Sequence, residues 1–139
     1  MTSITVSYGG DLHCEAVHEA SGSVLQTDAP KDNHGKGETF SPTDLLATAY
    51  ATCALTIMGI ASKRLDVEIT GATARIDKIM STDLPRRVVA LPLTISVPAT
   101  PSEADRNALE QAAYHCPVHH SLHPDIEKPI TFHWGNTKS

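Results

Sequence analysis

The chain is short of positive charge: its 139 residues carry 11 Lys and Arg against 16 Asp and Glu, a formal net charge of −5. That balance supplies no overall basic face, which counts against nucleic acid or an acidic membrane surface as a partner. Cysteine is scarce and odd in number, at three. The opening Met1-Thr2-Ser3-Ile4-Thr5 lacks a positive segment followed by an apolar stretch, so the expected compartment is the reducing cytoplasm. Three thiols there argue against a disulfide framework and leave catalysis, redox sensing or metal binding as their uses. The longest uncharged run, Leu45 to Ala61, has 17 residues and includes three Thr, Tyr50 and Gly59. It falls below the roughly 20 residues of a bilayer span and is expected to be a core helix. A nucleophile elbow, a zinc-binding HExxH and a phosphate loop are all missing, Gly35-Lys36-Gly37 being too short to cradle phosphate.

What is present reads as one domain, 1–139, of the α+β class. Apolar and polar residues alternate through Ile4–Tyr8, Leu12–Val17 and Ser23–Thr27, separated by Gly9-Gly10-Asp11 and Ser21-Gly22, as in a three-stranded meander. Asp28 to Thr39 is rich in turn formers and is expected to be an exposed loop. A helix is then announced by Ser41 as cap, Pro42 at the first helical position and Asp44 as the acid of a capping box. Lys63 and Arg64 mark its end, where cations suit the helix dipole. Because it is apolar on nearly every face, it must be enclosed by sheet and by further helix or a second subunit. Strands are expected within Leu65–Ile79 and over Arg87–Val97. Thr100-Pro101-Ser102-Glu103 predicts a helix capped by Thr100 and ending near His115, and Ile130–Trp134 a closing strand.

Two cysteines carry the chemistry worth testing. Cys53 sits mid-helix among Tyr50, Ala49, Thr56 and Ile57, where a thiol is commonly a small buried hydrophobe and becomes reactive only if a cation or donors are brought to it. Cys116 precedes Pro117, which predicts a place at or beside the N-cap of a last short helix. Backbone N–H groups and the helix dipole there favour a thiolate. His119, His120 and His123 follow at i+3, i+4 and i+7, so a zinc site built on Cys116 and these histidines is one reading, and a solvated helix face is the other. Cys14, between His13 and Glu15, is expected to be structural.

The run Phe40-Ser41-Pro42-Thr43-Asp44-Leu45-Leu46-Ala47-Thr48-Ala49-Tyr50-Ala51-Thr52-Cys53, followed by Cys116-Pro117-Val118-His119-His120-Ser121-Leu122, resembles the OsmC/Ohr family of osmotically induced and organic-hydroperoxide-resistance proteins. The resemblance covers essentially the whole chain. It implies antiparallel sheets around a long central apolar helix, an intertwined homodimer, and thiol peroxidase chemistry without metal or organic cofactor. It assigns Cys53 as the thiol that attacks a hydroperoxide and Cys116 as the thiol that closes the resulting sulfenic acid into a disulfide, which a cellular thiol reduces. The family's Glu after the helix-opening Pro is replaced by Thr43, and no Arg precedes Arg64. Asp44 and His13 are therefore the expected stand-ins beside Cys53, with Thr43 and His119 as further supporting residues. Two other readings stay open: a dimer that senses redox state or binds a small ligand without turnover, and a metal-binding protein using Cys116 and the nearby histidines.

Overall fold

The computed structural model describes residues 1–135. They form two compact units, Met1–Leu46 and a second beginning at Ala47.

The first unit is an antiparallel meander in the order β1-β2-β3, with β1 at Ile4–Gly10, β2 at His13–His18 and β3 at Val24–Asp28. The turn between β1 and β2 falls one position later than the glycines predict. Asp11 and Leu12 both take positive φ, 53° and 60°, and a bulge between Tyr8 and Gly10 absorbs the offset. Alternation along β1 and its register with β2 and β3 place Ile4, Val6, Tyr8, Ala16 and Leu25 on one face of the sheet. Asp28 does not belong to an exposed loop: it ends β3, pairs with His13 across the sheet and is buried. The following segment holds a single 3-10 turn at Lys31–Asn33.

Helix α1 spans Pro42–Leu65. The capping box forms as the sequence predicts, the Asp44 N–H donating to Ser41 Oγ at 3.0 Å and the Ser41 N–H to Asp44 Oδ2 at 2.9 Å. Asp66 ends the helix in the left-handed region at φ 55°, with its N–H donating to the Lys63 carbonyl and that of Val67 to the Ser62 carbonyl. This is a Schellman closure made without glycine. By length and composition α1 could cross a bilayer, yet Tyr50, Ala54 and Met58, one turn apart, are wholly buried. Its threonines turn inward on the helix, Thr52 and Thr56 each donating to the carbonyl four residues back at 2.8 Å, which lets an apolar helix carry hydroxyls cheaply.

The second unit pairs β4 (Thr73–Ile76) with β7 (Leu93–Val97) and β7 with β8 (Ile130–Trp134), and β5 (Ile79–Met80) with β6 (Val88–Ala90). The sheets are antiparallel except that β8 runs parallel to β7. The strand expected from Leu65 begins only at Thr73, because the Schellman closure and the turn at Thr70–Gly71 occupy the chain until then. The strand expected over 87–97 is divided at Leu91-Pro92, since Pro has no N–H for a ladder. Leu93, Ile95 and Val97 turn one face of β7 into the core, joined by Leu91 and by Leu109 and Ala113 of α2 (Glu103–Tyr114). The cap of α2 is Ser102, not Thr100, its Oγ accepting the Asp105 N–H at 3.1 Å. A last helix, α3, spans Pro117–Ser121.

Candidate functional site

Helix α1 carries Cys53 half-buried, and the turn between α2 and α3 carries Cys116 wholly buried. Both are free thiols, as is Cys14. The fold brings together two residues 63 positions apart, so that the Cys53 thiol interacts with that of Cys116.

Cys116 is the N-cap of α3, as its place before Pro117 predicts, and its Sγ accepts the His119 N–H at 3.3 Å. The expected thiolate does not follow. Burial pushes the Cys116 thiol up; the His119 and Val118 N–H groups pull the other way, and the adjacent Cys53 adds to the rise. Enclosure outweighs the donors of a helix this short.

Aromatic rings gather around His119, beside Cys116. The His119 ring stands 5.8 Å from that of Tyr50 and 6.1 Å, edge on, from that of Tyr114. Tyr50 is fully enclosed, its hydroxyl reaching the Lys128 carbonyl at 3.4 Å. Burial first, then the nearness of Cys116 and Tyr114, holds that phenol in its neutral form. His119 is likewise held neutral, by burial and by the neighbouring Lys128, His120 and His115. Neither tyrosine stood out in the sequence as part of the site. Tyr50 carried the available signal, lying three residues before Cys53 on the same helical face.

Of the residues expected to support Cys53, His13, Thr43 and Asp44 make their described contacts within the first unit. His13 lies in the first unit with Nδ1 2.6 Å from Asp28 Oδ1. That bond, aided by the Glu38 N–H on the second carboxylate oxygen at 3.1 Å, holds the Asp28 carboxyl below its ordinary value against the opposing effect of burial. Asp44 and Thr43 sit at the α1 cap, Thr43 Oγ1 3.2 Å from Ser41 Oγ. His123 faces Asp125, at 3.8 Å. Among the described residues no group of three or more His, Cys, Asp and Glu side chains is arranged to hold a metal ion, which removes the geometric support for the zinc reading.

Further along α1, a groove of about 580 Å³ lies between the helix and residues 67–72, and neither Cys53 nor Cys116 lines it. Thr56 and Ile60 line it, one and two turns along from Cys53 on the same stripe of the helix.

The sequence pattern of the OsmC-like proteins matches residues 35–128. A Psychrobacter arcticus protein named for osmotic stress induction and the detoxification response is 44% identical, with 96% of each chain covered and a TM-score of 0.90. An OsmC like protein from Mycoplasma pneumoniae reaches a TM-score of 0.82 over 98% of each chain at 16% identity. An organic hydroperoxide resistance protein OsmC from Legionella pneumophila reaches 0.75 over 96% of each chain at 14% identity. At such identities the last two show the fold alone. No curated protein matches the chain. With the family pattern running through α1 and both juxtaposed cysteines, and with a 44% identical relative superposing over nearly the whole length, the chain belongs to the OsmC-like protein family and has its fold.

Proposed function

We propose that this protein is a cysteine-based thiol peroxidase that reduces organic hydroperoxides. The Cys53 thiolate attacks the hydroperoxide, the O–O bond breaks, and an alcohol leaves with one proton while Cys53 becomes a sulfenic acid. The Cys116 thiol condenses with it, releasing water and forming a disulfide, and two equivalents of a cellular thiol return both cysteines to the reduced state. The observation that carries this reading is the contact between two free thiols from distant parts of the chain, one accessible and one enclosed. Family membership supports it, and solved structures of the same fold carry the name of organic hydroperoxide resistance proteins. No metal or organic cofactor is needed.

The functional unit is a homodimer in the cytoplasm. Ile4, Val6 and Tyr8 are 60%, 61% and 66% exposed on one face of the meander, an apolar surface that a second copy would cover.

Hydroperoxide consumption with a dithiol reductant tests the reading. Cys53→Ser abolishes it, since a serine hydroxyl is not ionised near neutral pH. Cys116→Ser reduces one equivalent, accumulates a sulfenic acid trapped by dimedone, and over-oxidises under excess peroxide. Cys14→Ser changes neither step. Wild-type protein that forms the disulfide yet consumes no peroxide catalytically would instead be a redox sensor.

A further inference from the structure

The two sulfurs of the pair differ in access. Cys116 has 0% of its surface exposed. Its Sγ is capped by the His119 N–H and stands beside the buried Tyr50. Cys53 is only partly covered, and Thr52 and Thr56, its neighbours on α1, are exposed. Since the two thiols are neighbours that interact, a disulfide between them would keep this asymmetry. Thiol–disulfide exchange depends on which sulfur an attacking thiolate can reach, and the attacker must approach from the side opposite the departing sulfur. For Cys53 as target, that approach starts from solvent. For Cys116 as target, it starts inside the core.

We propose that the disulfide is opened at Cys53, so that the reducing thiol is carried transiently on Cys53 while Cys116 departs. This rests on the peroxidase reading for the origin of the disulfide. The thiolate of a small thiol attacks Cys53 Sγ, a new S–S bond forms to the reductant, and the Cys53–Cys116 bond breaks with its electron pair going to Cys116 Sγ. The departing sulfur meets the His119 N–H and takes up a proton, because its enclosure favours the thiol. A second thiolate then attacks the reductant's sulfur, releasing the oxidised reductant as its disulfide and Cys53 as a thiolate. Two electrons enter and one disulfide leaves. Cys53 is thus the contact point for peroxide and reductant alike, and the reductant is a small thiol able to reach the partly covered Cys53.

The test uses wild-type protein oxidised in parallel by an organic hydroperoxide and by diamide. Each sample receives one equivalent of 2-mercaptoethanol, is quenched with N-ethylmaleimide, and is digested for mass spectrometry. The mixed disulfide is expected on the Cys53 peptide, with maleimide on Cys116, in at least about tenfold excess over the reverse arrangement. Equal adducts, or a preference for Cys116, would overturn the proposal. Disulfide formed by diamide alone and opened at Cys53 would uphold it while removing the peroxidase reading. Failure of both oxidants to join the two cysteines would overturn it together with that reading.

Discussion

The His119 N–H reaches Cys116 Sγ at 3.3 Å, yet the thiol it caps is held up rather than down. The His119 and Val118 N–H groups of a five-residue helix do not offset the loss of solvent around a wholly buried sulfur.

The closing of the Cys53 sulfenic acid by Cys116 should consequently keep accelerating with pH beyond the ordinary thiol range. Stopped-flow fluorescence of the lone Trp134, after one equivalent of peroxide and from about pH 6 to about pH 10, would follow it. A rate already level at neutral pH would contradict the assignment. The same raised value implies a stability contribution that is present below the unfolded thiol value and lost as pH rises towards the folded one.

Asp28 works in the opposite direction. Its carboxyl is held low by His13 and the Glu38 N–H, so its contribution is present above the unfolded carboxyl value and is lost as pH falls through the lowered folded one. Asp28→Asn should shift the acid-unfolding midpoint upward in circular dichroism, and His13→Ala should do so less, because the Glu38 bond survives. An unchanged midpoint for Asp28→Asn would remove this role.

Ser41 and Asp44 cap α1 reciprocally, at 3.0 and 2.9 Å. Ser41→Ala should cost about 1 kcal/mol in urea unfolding, within the ordinary range of a lost N-cap. If capping is what Asp44 does, Asp44→Asn should lower stability while leaving peroxide turnover per folded molecule unchanged. Turnover lost at full stability would make Asp44 a supporting group of the site as well as a cap.

Light scattering at micromolar concentration should give twice the chain mass. Val6→Glu, which sets a charge in the exposed apolar face of the meander, should move the protein towards monomer with the β-sheet signal retained. A wild-type monomer would end the dimer proposal.

Much of this molecule could be read from its residues where a local rule decides the outcome. The bounds of α1 follow from Ser41-Pro42 with Asp44 at one end and Lys63-Arg64 at the other, and Cys116 caps α3 because Pro117 suits a first helical position. Where two local signals compete, the reading slips. Thr100-Pro101 and Ser102 both announce a helix, and the Ser102 hydroxyl wins because it can reach the Asp105 N–H. Leu65–Ala72 alternates like a strand, but Asp66 accepts the left-handed conformation and makes it a helix closure. Contacts across long separations were out of reach. The seating of His119 against Tyr50 and Tyr114, and the pairing of His13 with Asp28, depend on tertiary packing and strand register that spacing does not encode.

The parallel seating of β8 on β7 sets an order of events. Between Val97 and Ile130 the chain must lay down α2, the Cys116 turn and α3 before the two strands can meet, and such a connection repays its loop entropy only when it closes. Cys116 lies inside that crossover, so its burial is tied to that long-range closure. In refolding, shielding of Cys116 from a thiol reagent would therefore report the meeting of β7 and β8.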